Sequence, residues 1–517
     1  MAIKIIFLVI FFGAMIGIGF YSRSKAKNVN DYVLGGRTVG PWISAFAFGT
    51  SYFSSVVFIG YAGQFGWKFG LASTWIGLGN AFIGSLLAWL VLGRRTRIMT
   101  QKLDAKTMPE YFGKRFDSKA LRLAGSVIAF IFLVPYTAGV YNGLSKLFHM
   151  AFAVDYRICV IVMAALTGVY VVVGGYMATA LNDFIQGIIM LIGICAVIFA
   201  VLHGQGGFLN AVKQLSVIET DPSVTTAALQ ESQGLFASFF GPDPLALLGV
   251  VVLTSLGTWG LPQMVQKFYA IKDEKAVKTG TVVSTFFAII IAGGCYFLGG
   301  FGRLFGEVKG VKEVLADGTV KVAFDNIVPS MLSTLPDILI GVVVVLVFSA
   351  SMSTLSSLVL TSSSTLTLDL IKPIMGQRLK EKTSLLLMKI FVICFIAISV
   401  VIAFNPPTFI AQLMGVSWGA LAGAFLAPFM YGLYSRKITK ASVWASYIVG
   451  VGFTVVNMIH PIIKSPINAG AATMIAGLII VPLVSLITPK PDAEKVDNIF
   501  ACYDTVVSVP ERENLGK

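Results

Sequence analysis

The stretch Val347-Phe-Ser-Ala-Ser-Met-Ser-Thr-Leu-Ser-Ser-Leu-Val-Leu-Thr-Ser-Ser-Ser-Thr365 places a row of hydroxyls at the end of an apolar run, Ile338 to Leu346. In a helix, positions three and four apart share a face, so Ser349, Ser353, Ser356 and Ser357 line one side with Thr354 beside them. Hydroxyl and carbonyl oxygens, with no sulfur or imidazole ligand nearby, suit a hard cation. The competing reading is structural: small residues let helices approach, and their hydroxyls bond back to the preceding turn.

Two further stretches interrupt apolar runs with residues that could contact a solute. Gly40-Pro41 opens the first and Gly49-Thr50-Ser51-Tyr52-Phe53-Ser54-Ser55 breaks it; Gly249, Gly257, Gly260 and Pro262 break the second. Backbone freed by such breaks is tolerated in lipid only where it lines a cavity or is buried in protein. Ser51, Tyr52, Ser54 and Ser55 from the first break, and Thr254, Thr258 and Trp259 from the second, are therefore the candidate substrate contacts. Tyr136, just after Pro135, adds an aromatic hydroxyl. Asp183 is an intramembrane carboxylate, which marks an ion path or a charge pair, or else caps a helix after Gly174-Gly175. His149, His203 and His460 are scattered, and the five cysteines show no pairing or metal-ligand spacing. Neither a nucleophile–base pair nor a metal cluster emerges, so an enzyme is not expected.

The elements that must hold these residues are membrane spans. Of 517 residues 56% are hydrophobic and 12% charged, with a mean hydropathy of +0.83, and runs of about 20 apolar residues recur. The fold class is an all-α polytopic membrane protein with about 13 transmembrane helices. The run Ile3 to Phe20 lacks a basic leader and a cleavage pattern, and reads as a retained first span. The two broken spans lie five apart. Because five is odd, two five-span units run in opposite directions, the sequence pointer to a 5+5 inverted-repeat transporter with broken helices.

The expected organisation is 1–40, first span and cytoplasmic loop; 41–203, first repeat; 204–242, an outside loop with a helix from Asn210 to Val217; 243–434, second repeat; 435–488, two accessory spans; and 489–517, a polar, flexible cytoplasmic tail. Residues 306–330 hold a small outside hairpin around Asp317-Gly318. The +14 net charge is not a nucleic-acid surface: with the N-terminus outside and the C-terminus inside, most of the 39 basic residues become cytoplasmic. They include Arg94, Arg95, Arg97, Lys102, Lys114, Arg115 and Arg122, and then Lys267, Lys272, Lys275 and Lys278.

Three markers, Asn30-Asp-Tyr-Val-Leu-Gly-Gly-Arg37, Gly174-Gly175 with Asn182-Asp-Phe-Ile-Gln-Gly187, and Ala350-Ser-Met-Ser-Thr-Leu-Ser-Ser357, make residues 28–435 resemble the sodium:solute symporter family. The resemblance implies a LeuT-like fold in the cell membrane and sodium-coupled uptake of a small solute by alternating access. It implies a first sodium site from the carbonyls of Thr50, Phe53 and Ala350 and the hydroxyls of Ser353 and Thr354. Asp183, Ser356 and Ser357, with Ser353, match a second sodium site that some members use, so one or two Na+ ions are expected. Proline carriers have aspartate at the position of Tyr52, tryptophan at that of Val56 and aromatics at Thr254 and Thr258, which counts against a copy of their pocket. The 121–152 span has no mid-membrane arginine, which the sialic acid type uses on its carboxylate. Leu181-Asn-Asp, Ile188 to Gly193 and Gly260-Leu-Pro262 look closest to the pantothenate and monocarboxylate branch. A carboxylate-bearing nutrient is therefore expected: a monocarboxylate, pantothenate or an amino acid such as proline. The alternatives are a sugar symporter, a proton-coupled carrier or a channel. The partners are solute, sodium and lipid, in a monomer able to function alone or a homodimer.

Overall fold

The computed structural model describes residues 2–23, 28–221, 232–314, 320–376, 380–405 and 410–504. Helices supply nearly all the regular structure. The exception is an antiparallel hairpin of Lys312–Val314 (β1) and Val320–Val322 (β2), with Lys312 opposite Val322. Its expected Asp317-Gly318 turn falls outside the described residues.

Among the described residues, ten helical stretches are long and apolar enough to cross a bilayer, or eleven with the bent pair Pro244–Gly260 and Pro262–Tyr269. Two of them, Val56–Lys102 with 47 residues and Tyr156–Gly204 with 49, are about twice the ~20 residues a bilayer requires. Each is interrupted part-way. Gly175 adopts φ +57°, ψ −149°, a conformation open to glycine, with Tyr32 packed where a side chain would project. Gly70, at φ +60°, starts a tight turn through Gly70–Ser73. The expected count of about 13 exceeds the number of such stretches, and the two interrupted ones each hold more than one bilayer's length.

Burial sorts the helices into centre and rim. The stretch Asp337–Met375 has 78% of its most apolar window buried, against 28% for Lys4–Ser22 and for Glu381–Phe404. A helix rich in serine is thus enclosed by protein while apolar ones face lipid, as expected where unsatisfied polar groups are costly. Small residues make the enclosure tight. A Cβ on Gly66 would stand 1.9 Å from the Gly299 carbonyl oxygen.

At the end carrying the basic cluster, helices Arg94–Lys102 and Met108–Arg115 pack beneath the bundle. Arg37 of the Gly-Gly-Arg turn donates to the carbonyls of Ala105 (2.6 Å) and Tyr269 (3.1 Å), joining that segment to the second broken helix. The tail departs from expectation. Instead of a flexible segment throughout, helix Ala493–Phe500 folds back and buries Val496 and Phe500. Apolar residues three and four apart give it a face, and Arg115 and Arg95 lie over the rings of Phe500 and Tyr503 at 5.0 and 4.6 Å.

Gly66→Ala should cost about 1–3 kcal/mol by overpacking, because backbone rather than a movable side chain meets the new methyl. Gly17→Ala, with nothing within 4 Å, should be neutral or slightly stabilising. Thermal unfolding of the purified variants checks the contrast.

Candidate functional site

The first broken helix begins at Pro41 and ends at Phe53, whose φ −107° and ψ 101° leave the helical range. The Ser54 hydroxyl accepts from the Val56 N–H (3.1 Å) as a wide i→i+5 turn, Val56–Tyr61, restarts the chain. A helix end leaves its last carbonyls without ladder donors and carries the negative end of the helix dipole. Here the carbonyls of Thr50 and Ser51 lie 3.4 and 3.2 Å from the Thr354 hydroxyl on the serine-rich helix Asp337–Thr365. The Ala350 carbonyl lies 3.2 Å from the same hydroxyl.

One hydroxyl proton cannot serve three carbonyls. The cluster has spare lone pairs and is fully buried. Beside it, Ser353 Oγ donates to Thr50 Oγ1 (2.7 Å), which donates to the Phe46 carbonyl (2.8 Å). Oxygen acceptors at a negative dipole end, shielded from water, suit a small hard cation. Thr50, Ala350, Ser353 and Thr354 are thus brought together. Phe53 meets Ala350 across a cavity of about 10 Å³ whose other walls include Met190, Ile194 and Leu346.

A second polar cluster lies nearby. Asp183 is wholly buried in Tyr156–Gly204, which removes the surface-capping reading. Its Oδ2 lies 3.3 Å from Lys267 Nζ, and Lys267 also donates to Ser357 Oγ at 2.9 Å. Ser51 Oγ meets the same Ser357 hydroxyl at 2.8 Å, which turns Ser51 toward this cluster. Ser356 Oγ donates to the Ser353 carbonyl of its own helix (2.8 Å). Lys267 was expected in a cytoplasmic loop with Lys272 and Lys275. Instead all eight residues of Pro262–Tyr269 are buried, and Lys267 needs a counter-charge there.

Around the two breaks, most candidate contacts are spent on backbone carbonyls, either of a neighbouring helix or of their own. Ser55 donates to the Val140 carbonyl (2.9 Å), Thr254 to that of Val250 (2.9 Å), Thr258 to that of Gly84 (3.1 Å) and the Trp259 N–H to that of Ile83 (3.0 Å). Tyr52 donates to the Thr254 carbonyl (2.6 Å) and stacks on Phe53 with centroids 4.2 Å apart. Trp418 joins this group, 6.4 Å from the Tyr52 ring and 5.7 Å from that of Tyr136. Asn80 Nδ2, Trp418 Nε1 and the Tyr296 hydroxyl are buried here without a hydrogen bond of good geometry among the described residues, Asn80 facing Tyr296 and Trp418 facing Tyr136. Unpaired donors beside flat aromatic faces can receive an acceptor-rich group on a small apolar body.

Sequence reasoning missed Lys267, Trp418 and Asn80. For Lys267 a signal existed, since a buried aspartate requires a partner and Pro262 marks a restarted buried helix. Trp418 and Asn80 sit in apolar runs with nothing local to distinguish them.

Comparison with known proteins follows from this geometry. The family model described as Sodium:solute symporter family matches residues 32–450. The osmoregulated proline transporter OpuE of Bacillus subtilis is 29% identical over 501 residues, covering 95% of this chain and 96% of that protein. A sodium/proline symporter of Staphylococcus aureus is 29% identical over 511 residues, covering 94% and 93%. The structure of a Na+-coupled sialic acid symporter in a substrate-bound outward-open state superposes with a TM-score of 0.73 at 17% identity, over 95% of this chain and 99% of that one. That likeness shows the fold.

Removing one partner of a buried ion pair strands the other. Asp183→Asn and Lys267→Met should each cost about 3–5 kcal/mol, and the double variant should recover most of the loss. A double-mutant cycle on thermal unfolding measures the coupling.

Proposed function

The chain belongs to the sodium:solute symporter family and is a multi-pass membrane transporter, and from that premise we propose that it imports a small carboxylate-bearing solute together with sodium. The observation that carries the sodium part is the Thr354 hydroxyl standing among the carbonyls of Thr50, Ser51 and Ala350. The ligand set we assign is Thr50, Phe53, Ala350, Ser353 and Thr354. An ion there draws the first broken helix onto the serine-rich helix and relieves a surplus of acceptors.

The solute reading rests on the unpaired donors of Asn80, Trp418 and Tyr296 around the Tyr52 and Tyr136 rings. A carboxylate supplies the acceptors these donors lack, and the aromatic faces take the solute's carbon skeleton. The names of the Bacillus and Staphylococcus relatives add proline to the candidates, beside monocarboxylates and pantothenate.

Coupling requires that sodium and solute each favour the other's binding, a reciprocal relation. The shared element is the broken helix: Thr50 and Ser51 face the ion cluster while Tyr52 faces the solute pocket. Ordering this break for the ion also orders the tyrosine for the solute. Entry of one positive charge down about 100 mV releases roughly 2.3 kcal/mol. With the N-terminus outside, as the basic residues suggest, that charge moves toward the end bearing Arg94 and Arg115. One chain holds both sites.

A thermal-shift screen tests the reading: amino acids, monocarboxylates, pantothenate and sugars, each with and without sodium. A ligand that binds only the folded state raises its stability by mass action. We expect one carboxylate to give a sodium-dependent shift, whereas a shift with a sugar alone would contradict the solute class. Thr354→Ala should raise the sodium concentration for half-maximal uptake by roughly tenfold or more, because a hydrogen-bonding partner of an ion is worth about 1.5–3 kcal/mol. Unchanged sodium activation would remove Thr354 from the site.

A further inference from the structure

Four residues carry the match to a second sodium site: Asp183, Ser353, Ser356 and Ser357. In this chain an ammonium already stands among them, and Asp183 Oδ1 is left without a hydrogen-bond partner among the described residues. Asp183 Oδ2 and Ser357 Oγ are both taken by Lys267 Nζ, at 3.3 and 2.9 Å. Ser353 Oγ donates to Thr50 Oγ1, beside the first cluster, and Ser356 Oγ to the Ser353 carbonyl of its own helix. The ring of Tyr176 lies 5.2 Å from the same ammonium and offers it a cation–π face.

Charge balance makes the same point. The first broken helix, Tyr156–Gly204, the second broken helix and the serine-rich helix enclose the cluster. Their other charged or imidazole side chains, Lys68, Arg157, His203 and Asp337, lie at helix ends, and the phenols of Tyr170 and Tyr176 are the further titratable groups near the pair. Inside, one carboxylate faces one ammonium, and both are essentially inaccessible to solvent. A sodium ion added beside them would meet a like charge at close range and a carboxylate already neutralised by it, a repulsion that the neutral oxygens of the first cluster do not impose.

We propose that Lys267 is a resident cation that occupies the second ion position, so that each transport cycle carries a single sodium ion. The tethered ammonium fills the electrostatic role of an ion without leaving the protein. Resting on the sodium reading above, the inference goes beyond it by fixing the number of ions.

Counting sodium sites on the purified chain tests it, with 22Na+ alone as the probe in equilibrium dialysis. Wild type should bind one sodium per chain. Lys267→Ala, which vacates the ammonium and leaves Asp183 unneutralised, should bind two, and its thermal midpoint should rise with sodium more steeply than that of wild type. Adding Asp183→Asn to that variant should return the count to one, and Lys267→Arg should stay at one. Two sites on wild type would overturn the inference, as would a folded Lys267→Ala protein that still binds one. If Lys267→Ala does not fold, the wild-type count decides between the two outcomes. No saturable binding to wild type would fail the sodium reading itself, and this inference with it.

Discussion

A helix broken inside a bilayer exposes carbonyls that neither water nor its own ladder can satisfy, and the rest of this structure is arranged around that constraint. At Phe53 the chain leaves the helix and the carbonyls of Thr50 and Ser51 turn to the one helix that can meet them. This explains why a helix with serines or threonines at 11 of its last 17 positions, from Ser349 to Thr365, lies in the middle of a hydrophobic protein. It also explains why more apolar helices lie outside it. The acceptor cluster itself is closed off, with Thr50, Ser51, Ala350, Ser353 and Thr354 all buried.

The buried Asp183–Lys267 pair adds a second tie between the same parts. Lys267 belongs to the half-helix Pro262–Tyr269 just after the second break; Asp183 and Ser357 belong to the two long helices behind it. Arg37 reaches the end of that half-helix through the Tyr269 carbonyl. The two breaks are therefore anchored differently. The first rests on neutral acceptors with lone pairs to spare, and the second rests on a charge already neutralised. Such asymmetry gives an ion leverage over the first break and little over the second.

Most of the fold was legible in the sequence because lipid permits so few solutions. Long apolar runs must be helices, and glycine and proline inside them must mark breaks; both breaks fell where Ser54 and Pro262 indicated. The acceptor cluster was legible for the same reason, hydroxyls at helical spacing in an apolar run being costly unless used. What escaped depended on long-range partners. Lys267 looked like one more basic loop residue because only the fold shows Asp183, 84 positions earlier, beside it. Ser55, Thr254 and Thr258 looked like solute contacts, yet their hydroxyls are absorbed by the carbonyls of Val140, Val250 and Gly84. The tail misled because Val496, Phe500 and Tyr503 carry too few apolar residues to read as a core until Arg95 and Arg115 cover them.

The central claim is that a sodium ion sits between the first break and the serine-rich helix. High-resolution density maps of the protein, prepared in sodium and again with sodium replaced by a large organic cation, test it most directly. The account predicts a compact density in sodium alone, touching the Thr50 and Ala350 carbonyls and the Ser353 and Thr354 hydroxyls. Identical maps in both salts, with the Thr354 hydroxyl still resting on its carbonyls, would contradict it.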